Sequence, residues 1–258
     1  MIKGVIYFMK KPIALLTSAI LAEACLVSCE SREYKQSNPD VLTSRQIEIL
    51  EENSLPTDMD KLNARQSGGI KAIESAFVYL EEKYPGVEFE YISHTQAGIM
   101  NSEYTDFVPI GYDKEDDRNI VTVNYDREGN YSDNYMLVAV REPMEKVVTN
   151  YIQEYFKTGD VKVFLKPGGT DLKYTDEINM ETVIGKVRSH AYVFIPEDIC
   201  SESKLKSFSE DCLKWTNENS IFCGYRATTV NREIFERITE HNYYDTYKGN
   251  IVNDILFS

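Results

Sequence analysis

Residues 67–84 read SGGIKAIESAFVYLEEKY, and Pro85-Gly86 follows them directly. Apolar side chains recur in this stretch at the spacing of one face of an α-helix. These side chains are Ile70, Ile73, Phe77, Leu80 and Tyr84. Because Pro-Gly does not continue a helix, the stretch predicts an amphipathic helix that ends at residue 84 and packs against the segments around it.

Four strand-like runs follow this helix, at residues 87–93, 106–112, 119–125 and 134–141. In the third run Val121, Val123 and Tyr125 alternate with polar residues, as expected for an antiparallel strand with one buried face. A short helix is also predicted before the main one, over residues 43–52, with Thr43 or Ser44 as its cap. The first half of the chain therefore predicts helices and an antiparallel sheet.

The second half alternates predicted strands and helices. Pro143 is expected to begin a second amphipathic helix, since proline suits a first turn, and Gly159 to end it. Strands are then predicted at residues 161–165, 190–195, 221–230 and 251–257, and helices at residues 176–188, 201–215 and 231–240. The predicted fold class is α+β, with subdomains at residues 41–158 and 159–258 that could share one sheet.

An export signal precedes the predicted folded region. Lys10 and Lys11 stand directly before an apolar run over residues 13–22, which has the length of the hydrophobic part of a signal peptide. Ten helical residues span about 15 Å, roughly half of the hydrocarbon thickness of a bilayer. A longer segment would include Glu23, so a membrane-spanning anchor is disfavoured. The start codon could specify Met1 or Met9.

The run ends in Leu26-Val27-Ser28-Cys29, which resembles the lipobox of bacterial lipoprotein precursors. The resemblance implies that residues 1–28 are a cleaved signal peptide and that Cys29 carries diacylglycerol and a further acyl chain such as palmitate. Cys25 fits this pattern less well, because Glu23 stands two positions before it. Residues 29–40 would then be a flexible tether. The stretch over residues 43–84 also looks like uncharacterised lipoproteins of Gram-positive bacteria, a resemblance that implies no activity.

The charge of the chain excludes one class of partner. Its 258 residues include 28 basic and 42 acidic residues, for a formal net charge of −14. Removal of residues 1–28 would take away three lysines and one glutamate and leave 25 basic and 41 acidic residues, a net charge of −16. Nucleic acid is therefore not an expected partner, because phosphate binding needs a basic face. Contact with the membrane is expected only through the lipid anchor.

The histidines and the remaining cysteines are the candidate catalytic groups. They are His94, His190, His241, Cys200, Cys212 and Cys223. None of them belongs to a zinc-binding motif. His94 is predicted in a loop after a strand, where catalytic residues are common, and His190 at the start of a strand. An exported protein could form one disulfide among the three cysteines, and a thiol nucleophile paired with His241 is a further alternative.

Two acidic runs, residues 113–117 and 126–133, are rich in oxygen ligands. Neither has the glycine and glutamate positions of an EF-hand, so we interpret both as solvated turns. Residues 166–170 (KPGGT) lack the ending of a phosphate loop and are also predicted to form a turn. Tyr243, Tyr244 and Tyr247 suit either a ligand surface or a core. No metal, cofactor or catalytic set is predicted.

Two classes of function remain compatible with these observations. The first is a non-enzymatic, lipid-anchored protein on the extracytoplasmic face of the cell membrane that binds a peptide, protein or glycan. The second is an extracytoplasmic hydrolase whose site is assembled around His94 and loop carboxylates that are distant in sequence. A histidine and a carboxylate about 3 Å apart in a pocket would favour the hydrolase.

Overall fold

Two four-stranded sheets, each with its own helices, form the described part of the chain. The computed structural model describes residues 41–96, 103–126, 128–246 and 251–258, which all fall within one compact unit, Tyr34–Ser258. Its helices with an antiparallel and a mixed sheet make an α+β fold, as predicted. The predicted signal peptide (residues 1–28), Cys29 and the predicted tether (residues 29–40) lie outside the described residues.

The first sheet follows the two N-terminal helices. The elements are α1 (Ser44–Glu52), α2 (Ala64–Lys83), β1 (Phe89–Thr95), β2 (Glu103–Pro109), β3 (Val121–Tyr125) and β4 (Tyr131–Asp133). The four strands pair antiparallel in chain order. Thr43 caps α1 in a reciprocal capping box with Gln46, which accounts for the predicted helix start. The five apolar residues predicted to share one face of α2 are all buried.

Helix α3 (Tyr135–Phe156) corrects the prediction for residues 134–141. A strand was predicted there and a helix from Pro143 onward, but Pro143 lies inside a single helix. Val138 is buried in the core of the first sheet, whereas Val140 is buried in the core of the second. Because the helix is buried on both sides, its first turns lack a polar face, and a continuous apolar run does not distinguish helix from strand.

The second sheet is mixed. Its strands are β5 (Lys162–Thr170), β6 (Val187–Pro196), β7 (Phe222–Val230) and β8 (Ile251–Phe257), in that order. Only β6 and β7 run parallel, and helix α4 (Glu202–Glu218) connects them. Val163 and Leu165 of β5 join the core beneath α3 and α4, whereas Phe164 between them joins a smaller core. Since neighbouring strand residues point to opposite faces, the two cores lie on opposite faces of the sheet.

The smaller core is covered by α5 (Arg232–Arg237) and α6 (Tyr243–Thr246). The single helix predicted over residues 231–240 was therefore too long. α5 ends because the chain becomes extended at Ile238, which is buried in this core together with Phe235 and Tyr243. Residues 239–242 then form a turn before α6.

Two further predictions for the second half were wrong. Residues 176–188 form turns followed by the start of β6 rather than a helix. Within them Gly185 adopts a left-handed conformation (φ +73°), and the Asn179 side chain accepts hydrogen bonds from the N–H groups of Glu181 and Thr182, so side-chain bonding replaces the helical pattern. Residues 166–170, predicted as a turn, continue β5 across a bulge. β5 is an edge strand, where proline is tolerated.

The two sheets are separate, and no strand of one pairs with a strand of the other in the described ranges. Helix α3 joins them, because its buried side chains reach both cores. The predicted boundary near residue 158 follows this helix and stays a prediction. Among the described helices, none has the length and apolar character to cross a membrane.

Candidate functional site

An open cleft of about 470 Å³ lies where the segment between β2 and β3 meets α3, β5 and the turn after α5. Eleven residues line it: Gly111, Tyr112, Asp113, Asp116, Arg118, Asn119, Arg141, Glu142, Glu145, Phe164 and Glu240. The lining contains five carboxylates and two guanidinium groups, a formal surplus of three negative charges. The cleft therefore favours a cationic group over an anionic one.

The floor of the cleft is a buried ion-pair network centred on Arg118. Its Nε and Nη2 donate to the two carboxylate oxygens of Asp116, each at 2.8 Å, and its Nη1 donates to Glu145 Oε2 at 2.9 Å. The Arg118 and Asp116 side chains are only 5% exposed. Such a two-pronged contact fixes the guanidinium in one plane, so the floor is rigid before any ligand arrives.

The two carboxyl groups of the floor differ in their pKa. Burial by itself would raise the pKa of Asp116, but the hydrogen bonds and charge of Arg118 hold it below its usual value. Burial dominates at Glu145 and raises its pKa, although Arg118 and the N–H of Leu165 both donate to this group. The prediction that Asp116 lies in a solvated turn is wrong, because Asp116 caps the short 3₁₀ turn Asp117–Asn119 from a buried position.

Arg141 is the second guanidinium of the cleft. Its Nη2 donates to Asn119 Oδ1, and its Nη1 lies 3.8 Å from Asp116 and 3.9 Å from Glu145. The side chain is 10% exposed. Its Nε is buried and has no hydrogen-bond partner among the described residues. A buried N–H donor without an acceptor is costly, and this atom has almost no solvent-accessible surface through which a ligand could reach it.

Three side chains meet at the rim of the cleft. His241 Nε2 lies 3.4 Å from Asp113 Oδ2 and 4.0 Å from Glu240 Oε1, and one ligand atom from each of the three groups lies within 4.8 Å of the others. All three residues are exposed. From the sequence, Asp113 is predicted only as part of a turn, and His241 only as a partner of a thiol. No spacing signal links them, since the segments are more than 120 residues apart.

His94 lines a different cavity, of about 260 Å³, between α1, α2 and β1. Its Nδ1 lies 2.9 Å from Thr105 Oγ1, and its Nε2 lies 3.6 Å from Glu103 Oε1, too far for a hydrogen bond. Nε2 is sealed from solvent, and burial lowers the pKa of the imidazole. Sequence reasoning placed His94 in a loop, but it lies within β1. Among the described residues that line this cavity there is no serine, threonine or cysteine.

The other predicted candidates lie apart from the cleft. His190 is in β6, and burial lowers its pKa. Cys200, Cys212 and Cys223 are buried free thiols, and burial raises the pKa of each, to about 11 for Cys200 and Cys223 and about 12 for Cys212. A thiolate nucleophile is therefore disfavoured at these positions.

The acidic run at 126–133 and the tyrosine cluster each contain both exposed and buried residues. Asp126 binds the N–H groups of Glu128 and Asn130 in an exposed turn, as predicted. Asp133 is instead buried and accepts hydrogen bonds from the side chains of Tyr79, Lys83 and Tyr84.

Tyr243 stacks on Phe164 at 4.7 Å in the smaller core, beneath the cleft. Tyr244 is half exposed, and Tyr247 lies outside the described residues.

Comparison with known proteins gives one structural neighbour. No family model matches the chain, and no curated protein matches it. Part of the chain has a structural similarity to a DUF5037 family protein from Ruminococcus gnavus ATCC 29149, whose crystal structure is at 2.55 Å resolution. The two chains are 14% identical with a TM-score of 0.36, and the match covers 64% of this chain and 77% of the other. That neighbour belongs to an uncharacterised family.

Proposed function

We propose that this chain is a lipid-anchored, non-enzymatic protein of the extracytoplasmic face of the cell membrane, and that its cleft binds a basic segment of a peptide or protein. The anchor and the binding activity rest on different observations. The lipobox-like Leu26-Val27-Ser28-Cys29 supports the anchor. The charge of the cleft is the observation that carries the binding activity.

The anchor is tested by two matched cysteine substitutions in the full chain. Cys29→Ser should abolish both incorporation of labelled palmitate and retention in the membrane fraction, because the thiol that would carry diacylglycerol is gone. Cys25→Ser, four positions earlier, should leave both unchanged. Persistent labelling of the Cys29→Ser protein would contradict the assignment of the anchor.

The binding proposal follows from the imbalance of charge in a preformed cavity. Arg118 and Arg141 offset two of the five carboxylates, and Lys146 pairs with a third, Glu142, at the surface. Asp113 and Glu240 carry the remaining negative charge of the lining. Tyr112, which is 37% exposed, adds aromatic surface beside them, where the ammonium or guanidinium group of a ligand is stabilised. A neutral glycan would make no use of this charge. A lysine- or arginine-bearing peptide is therefore the ligand class that best fits.

The binding activity is tested by fluorescence anisotropy with a labelled basic peptide and an acidic peptide of equal length. Glu142 lines the cleft, is 60% exposed and pairs with Lys146 one turn away. Glu142→Gln should weaken binding of the basic peptide about two- to fivefold, the range for one exposed charge pair. Glu218→Gln is the matched control, because Glu218 is an exposed helical glutamate that lies 3.9 Å from Lys214, also one turn away, and is not in the cleft lining. Equal effects of the two substitutions would indicate non-specific attraction and contradict the proposal.

A hydrolase around His94 is the second candidate, favoured by two observations: His94 lines a cavity, and its Nε2 approaches Glu103. We rank it second because the Nε2 atom has no access to water, which a general base must reach. Its test is turnover of ester and glycoside substrates by the full chain. If hydrolysis is lost in His94→Gln and kept in His190→Gln, the hydrolase replaces the binding protein as the proposed function.

A further inference from the structure

We propose that Asp113, Glu240 and His241, at the rim of the cleft, bind one divalent transition-metal ion of the zinc type. The inference goes beyond the proposed function, and it does not depend on a peptide ligand or on the anchor. It rests on the mutual geometry of the three side chains, on the chemistry of their donor atoms, and on the hydrogen bonds that orient the segments carrying them.

The distances within the trio suit a single small ion. Zinc bonds of 2.0–2.2 Å to nitrogen and oxygen in tetrahedral geometry place two ligand atoms about 3.3 Å apart. The His241 Nε2 to Asp113 Oδ2 distance is 3.4 Å, and the His241 Nε2 to Glu240 Oε1 distance is 4.0 Å. Exposed side chains can close a gap of this size by small rotations. One ion can therefore reach all three groups.

Local hydrogen bonds orient two of the three ligands. Asp113 Oδ1 accepts a hydrogen bond from the N–H of Glu115, which leaves Oδ2 directed at His241. On the other side, Asn242 binds the N–H of Thr239 and the carbonyl of Arg237, and so closes the turn that carries Glu240 and His241. Buried Ile238 and Tyr243 hold this turn at both ends. The ligands therefore come from segments that are already fixed.

The donor set selects a class of metal. One imidazole nitrogen with two carboxylate oxygens suits zinc and neighbouring transition metals, whereas magnesium and calcium prefer oxygen ligands alone. Three protein ligands leave a further coordination position open. This open position distinguishes the site from a closed structural zinc site, which has four protein ligands.

The test is calorimetric titration of the untagged, chelator-treated full chain with Zn²⁺. We expect one ion per chain, an affinity at least tenfold lower for both His241→Ala and Asp113→Asn, and unchanged affinity for Glu236→Gln. Glu236 is exposed, four residues before Glu240, and outside the cleft lining, so it controls for the general loss of a charge. Circular dichroism should show that all three variants fold, because each substitution is at the surface.

Cobalt absorption separates this site from the buried cysteines. Co²⁺ bound by the trio should give no thiolate-to-metal charge-transfer band, whereas binding at Cys200, Cys212 or Cys223 would give one. The absence of saturable Zn²⁺ binding, a thiolate band, or an affinity unaffected by His241→Ala would each overturn the inference. If zinc binds but a basic peptide does not, the metal site stands and the proposed function fails. If a basic peptide binds but zinc does not, the proposed function stands and the metal site fails.

Discussion

His94 and His241 each lie near a carboxylate, at almost the same distance, yet the two regions differ in what surrounds the pair. His94 Nε2 is 3.6 Å from Glu103, and His241 Nε2 is 3.4 Å from Asp113. The His94 side chain is 7% exposed, whereas that of His241 is 38% exposed. Proximity to a carboxylate alone therefore does not mark a functional histidine, and access to solvent separates the two regions.

The physical reason is the cost of charge in a buried place. Burial disfavours the imidazolium form of His94 more strongly than Glu103 and the backbone near Tyr104 favour it, so its pKa is lowered. A neutral His94 held by Thr105 acts as a packing and hydrogen-bonding group. At the rim of the cleft, water screens the interactions of His241 with Asp113 and Glu240, so these interactions contribute little to stability. The ligand atoms of the three side chains therefore remain available to an ion.

The largest expected effect tests whether the cleft region is built on a buried framework. Arg118→Met should lower the free energy of unfolding by about 3–5 kcal/mol, because it leaves Asp116 and Glu145 buried without their main partner. Urea denaturation measures this change. Lys146→Met is the matched control, since Lys146 pairs with Glu142 at the surface, and it should change stability by less than about 0.5 kcal/mol. If Arg118→Met also lowered the free energy of unfolding by less than about 0.5 kcal/mol, the floor of the cleft would not be preorganised.

A smaller effect compares the two histidines directly. His94→Ala should lower the free energy of unfolding by about 1–3 kcal/mol, since it removes a buried ring and leaves Thr105 without its partner. His241→Ala should change stability by less than about 0.5 kcal/mol, as is usual for a surface position. Equal losses in urea denaturation would remove the distinction between a structural and a ligand-accessible histidine.

The first half of the fold was largely predictable because its elements have one buried face. The spacing of Ile70, Ile73 and Phe77 gave α2, and the alternation of Val121 and Val123 gave β3. Helix α3 was missed where Val138 and Val140 contact different cores. The hydrophobic pattern of a segment shows how many of its faces are buried, but not which neighbours bury them. A helix buried between two layers therefore lacks the one-sided apolar periodicity by which a helix is predicted.

The candidate site was not predictable for a related reason. Asp113 follows β2, Arg141 is on α3, and His241 follows α5, so only the tertiary fold brings them together. Local motifs carry information about sites whose ligands share one turn or helix. Asp113, Glu240 and His241 have no such spacing. In the sequence, nothing distinguishes the buried Asp116 from the exposed acidic residues beside it in the run over residues 113–117.

The smallest effect is the pH dependence of stability that His94 contributes. Its folded pKa lies below the ordinary value of 6.5, so the unfolded chain binds a proton more readily than the folded chain does. The stabilisation by neutral His94 is therefore complete above pH 6.5 and is lost as the pH falls from there toward the folded pKa. The loss cannot exceed about 1.4 kcal/mol per pH unit, the limit for one proton.

The contribution of His94 is separated from that of the other titrating groups by measuring the free energy of unfolding of the unmodified protein and of His94→Gln at each pH. His190 also has a lowered pKa and adds a dependence of the same sign. The raised pKa of Glu145 has the opposite sign, because its contribution is lost as the pH rises above 4.5. Both are common to the two proteins and cancel in the difference between their unfolding free energies. That difference should shrink between pH 7 and pH 5. A constant difference would mean that His94 titrates as it does in the unfolded chain, and that burial does not separate the two histidine regions.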